Sequence, residues 1–135
     1  LEEMGARSII VRVVSDTHAR IVNALGATRS IHPEQYAARR LARQIAHPGL
    51  KGVLDLSSDD EMVNLEIPES WVDQSLKDLG LRATYGVNVV GVRRGDKQAG
   101  AFRAGPDPDE PLRRGDELRL MGAKEDVRRL LKEHG

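Results

Sequence analysis

IPESWVDQSLKDLGLRATYGVNVVGVRRGDK, residues Ile67–Lys97, leaves a strand, crosses a helix and enters a second strand. Pro68 ends the first strand because it has no amide hydrogen for a ladder. Val72, Leu76 and Leu79 recur at helical spacing, and Gly80 suits a helix stop. The apolar run Val87–Val92 reads as a strand, and Arg93–Gln98 (RRGDKQ) as a hairpin turn of the Gly-Asp type. Arginines bracket that strand: Arg82 before it, Arg93 and Arg94 after it. A plain core strand does not require them. They are either solvated or face a ligand or a second copy of the chain.

The flanking segments extend this unit. Met62–Ser70 (MVNLEIPES) alternates Val63, Leu65 and Ile67 with Asn64 and Glu66, the pattern of a strand with one wet face. A third strand is expected near Ala99–Arg103, then a loop over Ala104–Pro111 (AGPDPDEP). Gly115–Ala123 carries Leu118 and Leu120 on one face as the last strand. Lys124–His134 closes as a helix with Val127, Leu130 and Leu131 inward. Residues 62–135 thus read as a small α+β lobe, β-α-β-β-β-α, mainly antiparallel, with helices on one face.

Upstream the pattern differs. Ser8–Val14 (SIIVRVV) reads as a buried strand of a parallel sheet. Ser15, Asp16 and Thr17 are candidate caps of a helix that carries Ile21, Val22 and Leu25 on one face and stops at Gly26. A very short strand ends at His32, and Pro33 opens a helix to Ala46 with Ala37, Ala38, Leu41 and Ile45 inward. This order is the back half of a doubly wound, Rossmann-like α/β lobe. Leu1–Arg7 reads as the last turns of a helix capped at Gly5, so the chain is expected to begin inside an element. Ser57–Glu61 (SSDDE) is polar and turn-like. The expected organisation is an incomplete α/β lobe over 1–48, a linker over 49–61 and the α+β lobe over 62–135.

Composition limits the function. The 135 residues hold 21 basic and 21 acidic side chains, no cysteine and four aromatics. Charge balance argues against a nucleic-acid polymer as partner, and so few aromatics against base-stacking platforms. Residues 1–50 carry seven basic and four acidic residues, and residues 51–135 carry 14 and 17, so the two parts differ mildly in surface charge. Without cysteine there is no disulfide framework and no thiolate metal site. No apolar run approaches the roughly 20 residues that cross a bilayer, and the chain reads as soluble and cytoplasmic.

Catalytic and metal motifs are weak. His18, His32, His47 and His134 lack zinc-type spacing. Ser15, Asp16 and His18 lack a nucleophile elbow, and capping explains them. Asp107, Asp109 and Glu110 sit in one loop, either as calcium-type carboxylates without EF-hand spacing or as a solvated turn. Glu34 is a helix-start carboxylate, and Trp71 a packing anchor. An NAD(P)-dependent enzyme would need an acid-base pair in a cleft, which residues 62–135 do not offer.

Ile67–Lys97, followed by GDELRLMGAKEDVRRL (Gly115–Leu130), resembles the C-terminal lobe of RCK domains. Those are cytosolic regulatory subunits of bacterial Ktr and Trk potassium-uptake systems. Ile9–Glu34 (IIVRVVSDTHARIVNALGATRSIHPE) is similar to the end of the RCK N-lobe. The resemblance implies a non-enzymatic, ligand-sensing gating subunit that regulates potassium transport through a membrane channel or transporter. It acts from the cytoplasmic side, as a homodimer and in an octameric ring. A role beside another cation transporter or antiporter is the alternative. ATP, ADP or NAD(H) would belong to the N-lobe, and Glu34 matches an acid near nucleotide phosphates and a cation in some relatives. The C-lobe implies a cyclic di-AMP site on a two-fold axis, with Arg82 facing phosphate, Asn88 reading adenine, and Thr84, Leu76 and Pro106 as walls. Arg93 and Arg94 are assigned to surface or dimer contacts. Gly80 departs from the aspartate common in relatives.

The Gly-rich phosphate turn and the ribose-binding acid of a dinucleotide fingerprint are absent from these 135 residues. Calorimetry of this chain with ATP or NADH is therefore expected to show no appreciable binding. Micromolar binding of either would overturn that expectation.

Overall fold

The computed structural model describes residues 5–95 and 100–135. It forms two compact units, Leu1–Ala42 and Arg43–Gly135.

In the first unit, β1 (Ile10–Arg12) pairs in parallel with β2 (Arg29–Ile31), and α1 (Asp16–Ala24) makes the crossover that parallel strands require. Ser15 caps α1, its hydroxyl accepting the His18 amide hydrogen at 3.1 Å. Past its end, the Ala27 amide donates to the Val22 carbonyl at 3.0 Å. The next helix, α2, spans Pro33–Ala46 as expected, and the division between the units falls within it. Two expectations fail here. The first strand is three residues long, with Ile10 and Val14 60% and 72% exposed. The presumed inner face of α2 is also open, with Leu41 58% and Ile45 72% exposed. A two-stranded sheet is too small to cover the apolar side chains that this pattern presents. The helix tail expected over Leu1–Met4 lies outside the described residues.

The second unit is built on a five-stranded antiparallel sheet in the order β3-β4-β7-β5-β6. The strands are β3 (Leu50–Asp55), β4 (Asp60–Glu66), β5 (Asn88–Arg93), β6 (Arg103–Ala104) and β7 (Glu117–Ala123). The expected linker over 49–61 is a correction: it holds β3 and the turn that pairs β3 with β4. A register shift between Leu50 and Gly52 breaks the alternation that would mark a strand. The polar run is the hairpin turn itself. Ser57 accepts the amide hydrogens of Asp59 and Asp60 at 3.1 and 2.9 Å. The third strand is the two-residue β6, and Asp96–Ala99, within the expected hairpin turn and at the start of that strand, lie outside the described residues.

The helix expected between β4 and β5, with its stop at Gly80, is a 3-10 turn and one short helix, and a second short helix follows Gly80. A 3-10 turn at Glu69–Trp71 is followed by α3 (Leu76–Leu79) and α4 (Leu81–Tyr85). Ser75 and Asp78 form a capping box on α3, the hydroxyl accepting the Asp78 amide hydrogen at 3.1 Å. Gly80 then adopts φ 53°, a left-handed conformation that ends α3 and starts α4. Helix α4 ends at Tyr85 and is closed by Gly86 at φ 78°. A β-carbon there would lie 2.8 Å from the Asp126 carboxylate.

Val63 and Leu65 of β4 and Leu118 and Leu120 of β7 are fully buried, with Val127, Leu130 and Leu131 of α5 (Lys124–His134) in the same core. Trp71 anchors it and meets the His134 ring at a tilt, with the ring centres 5.0 Å apart. Each such side chain contributes about 1.5–3 kcal/mol on burial. Two carboxylates are buried among the strands. Glu61 receives two hydrogen bonds from the Arg43 guanidinium, at 2.7 and 2.8 Å. This bond also raises the Arg43 pKa. Asp116 accepts from the Arg94 side chain and from the amides of Arg113 and Gly95, at 2.9 and 3.2 Å. Among the described residues no buried side-chain nitrogen or oxygen lacks a partner.

Arg43→Ala leaves the Glu61 carboxylate buried and unpaired. It is expected to cost about 3 kcal/mol in a urea titration, with stability recovered when Glu61 is also replaced by methionine. Unchanged stability of the single variant would show that the pair does not hold this corner.

Candidate functional site

Among the described residues β6 pairs with Gly91 and Val92 of β5, and the start of β5 has no strand on that side. A shallow cleft of about 630 Å³ lies beside it. Leu76 and Lys77 of α3, Gly80 at the break, Arg82 and Ala83 of α4, and Val87–Val89 line it. The break at Gly80 lets α3 and α4 both contribute, because one straight helix would present a single face.

The structure brings Leu76, Arg82 and Asn88 together around this cleft. Thr84 instead lines a separate cavity of about 290 Å³ with Trp71, Asp78, Tyr85 and His134. Pro106 is half-buried in the 104–111 loop and lines neither cavity. Glu34, in the first unit, is an exposed carboxylate whose pKa is lowered by the hydrogen bond from Arg12.

Among the described residues Arg82 has no ion-pair partner, whereas Lys77 of the same cleft lies 3.1 Å from Asp109. Asp109 belongs to the acidic loop, and its amide donates to Asp107 at 3.0 Å. Glu110 accepts from Arg103 at 2.6 Å and also pairs with Arg94. The loop carboxylates thus neutralise neighbouring cations. Among the described residues there is no cluster of three metal-ligating side chains. Arg94 bridges Glu110 and the buried Asp116, and Arg93 pairs with Glu117 across to β7. Both are fastened within the lobe and remain partly exposed, at 33% and 26%.

Sequence reasoning overlooked Lys77 as a cleft cation, since its side chain reads there as one more exposed helix residue. It also overlooked the cluster at the end of α5. The Tyr85 hydroxyl donates to Glu133 and lies 2.9 Å from His134 Nε2. The bond to Glu133, then burial, raises the Tyr85 pKa.

The second unit is thus a small α+β domain with a partly cationic cleft at its sheet edge. The chain belongs to the TrkA-C domain family, whose model matches residues 61–135. It is 30% identical over 132 residues to the Ktr system potassium uptake protein C of Bacillus subtilis, covering 98% of this chain and 58% of that protein. The chain therefore spans a little over half the length of that relative. Among solved structures, the GsuK RCK domain matches at TM-score 0.52 and 19% identity, over 93% of this chain and 27% of that one. The RCK C domain of KtrA, solved in complex with cyclic diadenosine monophosphate, matches at TM-score 0.48 and 35% identity, over 53% of this chain and 80% of that one. No helix among the described residues is long and apolar enough to cross a membrane.

The Glu110 pKa is lowered from its ordinary 4.5, first by the hydrogen bond from Arg103 and then by that from Arg94. A depressed carboxylate pKa means the contact is fully present above 4.5 and is lost as pH falls through the lower folded value. Carbon-detected NMR titration should place the Glu110 midpoint below 4.5, moving upward in Arg103→Ala. A midpoint unchanged by that substitution would remove Arg103 as the cause.

Proposed function

We propose that this chain is part of a cytosolic regulatory subunit of a potassium-uptake system, and that residues 62–135 sense cyclic di-AMP between two copies of the lobe. The subunit acts on a membrane channel or transporter by ligand-shifted conformation, not by catalysis. A ligand shifts such an equilibrium only by its difference in affinity for the two states. One observation carries the ligand reading: Arg82 and Asn88, from α4 and β5, line the same cleft. A guanidinium grips a phosphate with two parallel hydrogen bonds. An asparagine amide both donates and accepts, which suits the N6/N7 edge of adenine. Leu76 supplies an apolar wall. Thr84 and Pro106 remain part of the proposal as contacts made across the two-fold axis or after closure of the loop.

Cyclic di-AMP has two phosphates and two adenines related by two-fold symmetry, so a pair of lobes meets it with two copies of each contact. Such pairs would assemble into the octameric ring of longer subunits. The test combines two measurements. Sedimentation is expected to show a dimer that cyclic di-AMP strengthens. Calorimetry is expected to show binding that Arg82→Ala weakens on the order of ten- to a hundredfold, the value of a charge-assisted hydrogen bond. No binding by the native chain, or equal binding by both proteins, would remove this reading.

A further inference from the structure

We infer that Asp109 is the resident counter-ion of the cleft, holding Lys77 in reserve and exchanging it for a phosphate of the bound ligand. The inference rests on the cyclic di-AMP reading for the ligand's name, and on the cleft's own geometry for its mechanism. Lys77 and Arg82 are the cations lining the cleft. Arg82 has no ion-pair partner among the described residues, whereas Lys77 Nζ lies 3.1 Å from Asp109 Oδ1. Both members of that pair are well exposed, at 71% and 69%. Exposed pairs are weak and readily exchanged. A lysine ammonium is also a point charge on a flexible stem, with three donors it can redirect.

The acidic loop does not depend on that pair for its position. The Lys77 amide donates to the Pro108 carbonyl at 3.0 Å, and Ser75 forms a bridge with Pro111. Glu110 is fastened to Arg94 and Arg103. When Lys77 turns toward a phosphate, the Asp109 carboxylate therefore stays beside the cleft. It then competes with the phosphate for the ammonium. Asp109 sets the affinity of the cleft below what Lys77 and Arg82 would give alone, and makes anion binding depend on one surface carboxylate.

The test is a double-mutant cycle on the full 135-residue chain, titrated with cyclic di-AMP. Asp109→Asn is expected to tighten binding about two- to fivefold, the range an exposed ion pair supplies. Lys77→Gln is expected to weaken it, and Asp109→Asn should then have no effect in the Lys77→Gln background. Equal affinity of Asp109→Asn and the native chain would overturn the inference. So would an undiminished gain in the Lys77→Gln background, because that would be a diffuse charge effect. If the native chain takes up no cyclic di-AMP, the ligand reading fails separately. The exchange is then read with inorganic pyrophosphate, from the amide signals of Lys77 and Arg82. Tightening by Asp109→Asn supports it, and equal curves or no binding by either protein overturn it.

Discussion

Strand β7 lies between β4 and β5, and the sheet of the second unit depends on it. Its seven residues pair with all of β4 on one side and most of β5 on the other. Leu118 and Leu120 also meet the apolar face of α5, the helix that follows directly. The strand that joins the two halves of the sheet is thus the last one made in the chain. Such long-range pairing must overcome loop-closure entropy before contacts compensate it. Burial of the Leu118 and Leu120 face offsets that cost.

Two buried carboxylates fix the ends of this arrangement. Asp116, just before β7, gathers Arg94 and the amides of Gly95 and Arg113, and so ties the end of β5 to the start of β7. Glu61, at the start of β4, is clamped by both terminal nitrogens of Arg43. Buried charges are costly unless fully satisfied. Here both are satisfied, so neither leaves an unpaired charge in the interior.

The cleft follows from where that sheet stops. Because β6 is two residues long, the first residues of β5 lack a strand partner on that side among the described residues. The αL turn at Gly80 breaks the connecting helix, so that α3 and α4 both line the gap. A chain with balanced charge can still build a cationic surface locally. Here the acidic loop supplies the compensating charge beside it rather than within it.

Local patterns were legible wherever one face is buried in a regular element. The β4 alternation, the apolar face of α5, the Ser15 cap and the Pro33 helix start are all as the residues indicated. Arg82, Asn88 and Leu76 lie close in the chain, and their grouping could be inferred from family resemblance. Tertiary structure decided the rest. The register shift at Leu50/Gly52 disguised β3 as linker. Gly80 stops α3 as expected, but a second short helix, α4, follows it. Thr84 turned toward Trp71 and Tyr85 because residues two apart on a helix face different sides. The pairings Lys77–Asp109 and Arg94–Asp116 join residues 32 and 22 positions apart. Periodicity reports which side of an element is apolar; only the packed sheet determines which distant charges meet.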